Sequence, residues 1–299
     1  MFDEFKNAFK KRDNAVVQLI IINVVIFLLL VLVSFIGKKA GITPITDTLY
    51  NQFSIPPTFP EFFTRPWTLI TYMFAHDRNG IFHILFNMLG LFWFGKLFVE
   101  YLGSDKLVAL YILGGLAGGI AYLLVFNTIP YFIDRSGFSG MVGASAAIYA
   151  IAIGAATLVP EYTFLLMFFG PVKIKYIALF YVLISFIGTT QENAGGNVAH
   201  LGGALMGFIY IKQLQSGINW GGWITSTLDW FKGLFDGKPR VKVTYRKTEP
   251  VTSSPKAAAS KAAKASQEEI DAILDKISDR GYESLTKDEK EKLFNASKK

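Results

Sequence analysis

Apolar residues occur in long runs along most of the chain, and short polar segments separate these runs. The first run covers residues 15–37 and is rich in Val, Ile, Leu and Phe. A helix needs about 20 apolar residues to cross a bilayer, and this run provides them. Five later runs of the same character cover residues 81–99, 105–127, 140–159, 172–189 and 198–214. The pattern predicts an all-α membrane protein with six spanning helices in a bundle, because an outer-membrane barrel would show alternating segments of about ten residues.

Three other segments are apolar but do not read as spans. Residues 38–80 are rich in Pro and aromatic residues and are expected to lie partly in the membrane interface, where Trp and Tyr settle. Residues 161–171 are expected to extend the fifth span or to form a short interfacial piece. Residues 215–237 carry an aromatic face, which predicts an amphipathic segment on the inner membrane surface.

Both ends of the chain are polar. Residues 1–14 form a basic head before the first span, and residues 238–265 are rich in Lys, Ala, Ser and Pro, which is typical of a flexible linker. Residues 266–299 regain apolar positions at helical spacing and predict two short helices separated by Gly281. A helix pair of this size is marginal alone, so this small cytoplasmic tail is expected to dock onto a partner or the membrane.

Two capping boxes mark the starts of the tail helices. In this motif a Ser or Thr and a Glu three residues later bond each other's backbone N–H groups. The two pairs are Ser266 with Glu269 and Thr286 with Glu289.

The basic residues predict the orientation of the six spans. Lys and Arg cluster before the first span, between the second and third, between the fourth and fifth, and after the sixth. These groups share one side if the spans alternate, and Lys and Arg favour the cytoplasmic side. Both termini are therefore predicted to be cytoplasmic. The same bias accounts for the net charge of +7, so no nucleic-acid partner is predicted.

Titratable groups inside the spans are few. The chain has no cysteine, which excludes disulfides and thiolate metal sites, and three histidines, His76, His83 and His200. His83 and His200 fall inside predicted spans, where ionisable groups are costly and usually functional. The plainer interpretation is that each only bonds across helices and holds them together. His76 is expected to be an exposed loop histidine. No H-E-x-x-H pattern occurs, so no metal site is predicted.

One serine and two histidines are predicted to lie at the same depth. With both termini inside, the second, fourth and sixth spans all begin at the outer face. His83, Ser145 and His200 follow those starts by a few residues each, so their depths agree within about 5 Å. The three side chains are therefore expected to share a layer just below the outer surface.

The chemistry of this layer favours a serine nucleophile. A serine hydroxyl is a weak nucleophile until a base takes its proton, and His200 can act as that base near neutral pH. The developing oxyanion needs donors aimed at it. His83 and Asn87 share one helix face and, with the backbone N–H of Ser145, are predicted to form an oxyanion hole.

Supporting residues surround this pair. Tyr149 lies four residues after Ser145 on the same helix face and is expected to buttress the imidazole of His200. Gly203 and Gly207 form a G-x-x-x-G on the sixth span, and Gly143 adds a small residue on the fourth. Small residues let two helices approach closely, which is what the serine–histidine contact requires.

The ordered motifs resemble a known family. "HILFN" at 83–87, "GASA" at 143–146 followed by Tyr149, and "AHLGG" at 199–203 with Gly207 are similar to the rhomboid intramembrane serine proteases. The resemblance runs from about residue 60 to 214. Six spans match the basic bacterial form, which implies a multi-pass protein of the bacterial inner membrane.

The resemblance implies a Ser–His dyad without a third acid and without a cofactor. Ser145 is then the nucleophile and His200 the base, and the substrates are transmembrane proteins in the lipid bilayer, cleaved near the outer face. Residues 188–197 are expected to form a lid over an outward polar cavity lined by Ser145, His83 and Asn87. Ala146 departs from the family pattern, in which active members often have glycine.

Two alternatives stay open. A catalytically inactive rhomboid-like protein would bind membrane clients without cleaving them, although such proteins typically lack the serine or the histidine. A transporter would need polar groups along a path across the whole bilayer. The inner halves of these spans carry almost nothing ionisable, so the polar groups stop at one depth.

Overall fold

Most of the described chain is helical, and each long apolar run of the sequence contains a helix. The computed structural model describes residues 14–134, 140–235, 269–278 and 282–296, and it divides the chain into two compact units, Met1–Gly237 and Lys238–Lys299. The basic head and the predicted linker fall almost wholly outside the described residues. The helices of the first unit are α1 Ala15–Lys39, α2 Thr43–Asn51, α3 Phe59–Thr64, α4 Thr68–Thr71, α5 Ile81–Leu102, α6 Ser104–Thr128, α7 Pro130–Ile133, α8 Ser145–Leu158, α9 Ile174–Gly188, α10 Ala194–Gln215 and α11 Gly222–Phe235, with a 3₁₀ turn at Tyr72–Phe74.

The prediction of an all-α fold is wrong at one place. Residues 161–171 do not extend the helix of the fifth span, because strands β1 (Thr163–Leu166) and β2 (Gly170–Lys173) pair antiparallel as a hairpin. The alternative, a short interfacial piece, stays a prediction. Gly170 has φ +69°, a left-handed conformation that ends any helix, and Pro171 lacks the N–H that a helix interior needs. The Gly-Pro pair was therefore the sequence signal for this turn.

The hairpin is apolar at its tip and charged at its base. Leu165, Met167, Phe168 and Phe169 are largely exposed. At the base, Lys173 and Lys175 both bond the carboxylate of Glu161. These hydrogen bonds lower the pKa of Glu161 to about 2, so the group stays ionised at physiological pH.

Two predicted span starts are also corrected. The helix at the predicted fourth span begins at Ser145 instead of 140, because Gly143 takes φ +138° and Met141 pairs with Ile55 in an isolated β-bridge. Gly143 therefore lies in the turn before α8 and not on the span. The helix at the predicted sixth span begins at Ala194 instead of 198, so α10 takes up part of the segment predicted as a lid.

The helices differ in length and in apolar character. Within the described ranges, α1, α5 and α6 are long and apolar enough to cross a membrane, while α8 and α9 are apolar but shorter. Helix α10 has 22 residues, which include Asn197 and His200. Helix α11 lies inside the predicted amphipathic segment 215–237 and exposes Trp223 and Trp230.

Helix α8 lies at the centre of the first unit and packs against α5, α6, α9 and α10. Its sequence is almost entirely small or β-branched, and most of its residues are buried. On α10, a Cβ atom at Gly203 would run into the backbone oxygen of Ala146, and one at Gly207 into that of Ala150. The two backbones are therefore in direct contact, and the glycines are required for it.

 The described residues of the second unit form two short helices and a 3₁₀ turn. In this unit, α12 covers residues 269–278, a 3₁₀ turn covers Tyr282–Ser284, and α13 covers Lys287–Ala296. Ile273 on α12 and Leu285, two residues before α13, are buried.

The second capping box forms as predicted. The backbone N–H of Thr286 donates to the Glu289 carboxylate at 2.8 Å, and the Glu289 N–H donates to the Thr286 hydroxyl at 3.3 Å. The Thr286 backbone N–H, together with the Lys276 ammonium at 2.9 Å, lowers the pKa of the Glu289 carboxylate to about 2. Ser266 of the first capping box and Gly281 lie outside the described residues.

The contact between α8 and α10 predicts that one added methyl group on α10 lowers the stability of the fold. Gly207→Ala should lower the free energy of unfolding by about 1–3 kcal/mol or more, because the new Cβ meets backbone that cannot rotate away. Gly233→Ala on α11 is the matched control, since nothing lies within 4 Å of a Cβ there. Denaturation in detergent measures both, and equal stability of the two variants would contradict the close contact.

Candidate active site

Ser145 is the first residue of α8 and follows a sharp turn. Gly143 adopts φ +138°, a conformation that L side chains rarely take, and its N–H donates to the Tyr72 carbonyl at 3.0 Å. The backbone N–H of Ser145 lies in the first helical turn, where N–H groups have no partner within the helix. The turn therefore presents both the hydroxyl and a backbone donor of Ser145 at a helix N-terminus.

His200 on α10 meets Ser145 directly. Its Nε2 lies 2.7 Å from the Ser145 Oγ, which is a short hydrogen bond between side chains 55 residues apart in sequence. The bond joins α8 to α10 at the point where Gly203 and Gly207 bring the two backbones together. The expected juxtaposition of a hydroxyl and an imidazole is thus present.

Two further groups hold the imidazole. The Tyr149 ring stacks on the His200 ring with centroids 4.2 Å apart and an interplanar angle of 14°. On the far edge of the ring, the Ser185 Oγ lies 3.2 Å from Nδ1, and the same hydroxyl donates to the Tyr149 Oη at 2.9 Å. Tyr149 lies where its spacing from Ser145 predicts.

Ser185 was not predicted from the sequence. It lies on α9, and no fixed spacing relates it to Ser145 or His200. Its sole signal in the sequence is a hydroxyl between the apolar residues Ile184 and Phe186.

His83 is close to the same turn. The Asp77 backbone N–H donates to His83 Nδ1 at 3.3 Å, so in a neutral ring the proton lies on Nε2. A Cβ atom placed on Gly143 would lie 3.0 Å from His83 Nε2 and 3.5 Å from Ser145 Oγ. Both atoms therefore border the same side of Gly143, with the His83 ring presenting an N–H.

Asn87 is buried one turn after His83. Its Nδ2 donates to the His83 carbonyl at 2.7 Å. A side-chain amide has two N–H bonds, so one of them remains for another acceptor.

The expectation that His76 is an exposed loop residue is wrong. The side chain is fully buried, and its ring lies 5.3 Å from the His83 ring at an angle of 65°. Burial, with a smaller contribution from the neighbouring His83, lowers the pKa of His76 to about 3, so the ring is neutral at physiological pH. Arg78 in the following loop pairs with Asp47 at 2.6 Å and lies over the Tyr50 ring, which folds this loop inward.

A cavity of about 1220 Å³ opens beside these residues. His83 and residues 190–196 line it, as predicted, together with Asp77 and Arg78. The prediction is wrong for Ser145 and Asn87, which do not contribute to the lining. Met141 and Val142, in the turn before Ser145, occupy that part of the wall instead.

Metal ligands do not gather here. Across residues 14–134, 140–235, 269–278 and 282–296, no three His, Cys, Asp or Glu side chains are grouped so that they could hold a metal ion.

Comparison with known proteins covers both units. The family model described as the rhomboid domain matches residues 64–216, just over half of the chain, and a family of unknown function (DUF6576) matches residues 260–299. The chain is 34% identical to the RHOMBOID-like protein 12, mitochondrial, of Arabidopsis thaliana over 163 residues, which are 51% of this chain and 48% of that protein.

Two further relatives show the range of the similarity. The Rhomboid-like protein 16, chloroplastic, of Arabidopsis thaliana is 28% identical over 51% of this chain and 50% of its own length. The Rhomboid protease GlpG of Haemophilus influenzae is 24% identical over 52% of this chain and 72% of its own length. The chain spans about half the length of the first two relatives.

These matches bear on location as well as on family. The first two relatives are named for a mitochondrion and a chloroplast, so the bacterial inner membrane expected above is not supported. The apolar helices and the rhomboid domain identify a membrane protein. Because the rhomboid domain model covers more than half of the sequence, this chain belongs to the rhomboid family.

Proposed function

We propose that this protein is an intramembrane serine endopeptidase. The observation that carries the proposal is the 2.7 Å hydrogen bond between Ser145 Oγ and His200 Nε2 at the start of a helix inside an apolar bundle. A hydroxyl bonded to an imidazole in this way is the minimum arrangement for nucleophilic catalysis. Membership of a family that includes a named protease supports it.

In the proposed mechanism, Ser145 Oγ attacks the scissile carbonyl while its proton passes to His200 Nε2. The carbonyl oxygen becomes negatively charged. It accepts hydrogen bonds from the Ser145 backbone N–H, His83 Nε2–H and the free Asn87 N–H. His200 then donates its proton to the leaving amine, and an acyl-enzyme forms on Ser145. Water, deprotonated by His200, hydrolyses this ester and restores the hydroxyl.

The proposed substrates are transmembrane proteins cleaved near the outer face. Ser145 begins α8 and His83 is the third residue of α5, so the chemistry lies at one end of these helices. We take α1, α5, α6, α8, α9 and α10 as the six spans, with both termini on the cytoplasmic side that Lys and Arg favour. In this proposal, the water that hydrolysis consumes enters from the cavity next to His83.

The proposed role of the tail unit is separate from catalysis. Helices α12 and α13 are held to each other by Lys276–Glu289 and Lys292–Glu269 ion pairs. Most of their remaining described side chains are exposed or half-buried, and Leu274 and Tyr282 are about half exposed. We assign this unit a docking function toward a cytoplasmic partner.

Loss of cleavage in two variants tests the protease proposal. Ser145→Ala and His200→Ala should each reduce cleavage of a labelled transmembrane substrate in proteoliposomes by at least about 1000-fold, because the nucleophile and its base act as a unit. Ser216→Ala, which removes an exposed hydroxyl at the end of α10, is the matched control and should cleave normally.

The same assay distinguishes the inactive alternative. Cleavage that persists in Ser145→Ala contradicts the proposal. Wild-type protein that binds transmembrane segments without cleaving them supports a client-binding rhomboid-like protein instead.

Ala146 gives a second prediction. Its Cβ faces α6, where a Cβ on Gly118 would lie 2.5 Å from it, so glycine on α6 makes room for the alanine. Ala146→Gly should leave the cleavage rate within about twofold, which is a small barrier change. It should also destabilise the protein by about 1 kcal/mol through the lower helix propensity of glycine. A tenfold faster variant would instead mean that Ala146 crowds the site.

A further inference from the structure

Helix α9 buries few of its residues, and one of them is polar. Its buried positions are Ile174, Ser185 and Gly188, while large apolar side chains such as Leu183 and Phe186 are exposed. Ser185 is fully buried. Burying a hydroxyl costs free energy unless it is hydrogen-bonded, so its partners explain its place on this helix.

The partners of Ser185 are the Tyr149 hydroxyl and the His200 imidazole. Its Oγ lies 2.9 Å from Tyr149 Oη and 3.2 Å from His200 Nδ1. A serine hydroxyl has one proton. When that proton is donated to Tyr149, the contact with His200 is made by a lone pair of Oγ, and Nδ1 must carry the hydrogen.

The position of this hydrogen decides the reactivity of the ring. A neutral imidazole has one N–H and one lone pair. With the hydrogen on Nδ1, the lone pair lies on Nε2, which is the atom 2.7 Å from Ser145 Oγ. The opposite tautomer would donate to the serine and leave it without a base.

We propose that Ser185 is a positioning residue that holds His200 in the tautomer able to accept the proton of Ser145. The proposal rests on the protease function above and deepens it. Ser185 fills the place that a carboxylate fills in a Ser–His–Asp triad, with a neutral acceptor in place of a charged one. A third helix, α9, thereby contributes to the site that α8 and α10 form.

The relay includes Tyr149. Its hydroxyl accepts from Ser185 and so orients the Ser185 lone pair toward His200, while its ring covers the imidazole face. The ring of His200 is then fixed by a stacking contact on one face and by hydrogen bonds at both nitrogens. Removal of the Ser185 hydroxyl leaves the stacking contact and one of these hydrogen bonds.

Kinetics provide the first test. Ser185→Ala should lower kcat by about 10-fold to 100-fold, less than the loss of about 10⁴-fold for a charged orienting group. KM should stay within about twofold, because Ser185 acts on the imidazole and not on the bound substrate. Ser185→Thr keeps a hydroxyl and should recover most of the rate. Ser104→Ala, which removes another buried hydroxyl at the start of α6, is the control and should retain kcat.

Spectroscopy provides a readout that does not depend on turnover. The chain has only three histidines, so nitrogen NMR of isotope-labelled histidine resolves few signals, and loss of a signal in His200→Gln assigns His200. Wild type and Ser185→Thr should show a single tautomer protonated at Nδ1, and Ser185→Ala should show a mixture. An unchanged tautomer in Ser185→Ala overturns the positioning role.

The two proposals fail in different ways. If wild type cleaves and Ser185→Ala keeps both its kcat and its tautomer, the protease function stands and the role of Ser185 is wrong. If wild type does not cleave but the tautomer changes in Ser185→Ala, Ser185 orients the ring and the protease function is wrong. Ser185→Ala with a lowered kcat but an unchanged tautomer contradicts the positioning role, and its melting temperature then measures the packing defect.

Discussion

The close approach of α8 and α10 is the constraint on which the rest of the structure depends. The 2.7 Å hydrogen bond between Ser145 and His200 forms where the two helix backbones lie in direct contact. Gly203 and Gly207 permit this, since a methyl group at either position would collide with a backbone oxygen of α8. The site is therefore a consequence of helix packing, and the small residues of α8 serve stability and chemistry together.

Around that contact, neighbouring elements each orient one group of the site. The turn at Gly143 aims the Ser145 hydroxyl and leaves its backbone N–H free, and the Asp77 amide leaves the proton of His83 on Nε2. Tyr149 covers the imidazole face of His200, and Ser185 contacts its outer nitrogen. Preorganised donors of this kind are worth more in a low-dielectric interior than in water. A cavity lined by His83 and residues 190–196 opens beside this otherwise apolar bundle.

Much of this arrangement was predictable from the sequence, and the exceptions have physical causes. Helical spacing placed Tyr149 beside Ser145 correctly, because it depends on regular helix geometry. Ser145 and His200 do meet, but both of their helices begin at residues other than the predicted ones, so the equal depth inferred from those starts is not confirmed. The hairpin was missed because an apolar run alone does not separate strand from helix. Ser185 was missed because its contact with His200 arises from the packing of α9, which no sequence spacing encodes. His76 was misjudged because its burial arises from tertiary packing, including that against the His83 ring, which its place in a polar segment of the sequence does not reveal.

The most direct test of the account is covalent labelling of the detergent-solubilised protein with a fluorophosphonate, followed by mass spectrometry of its peptides. The account predicts a single adduct on Ser145 that forms in wild type and is nearly abolished in His200→Ala, because the hydroxyl reacts only when Nε2 accepts its proton. Absence of an adduct on Ser145, or equal labelling in wild type and His200→Ala, would contradict it.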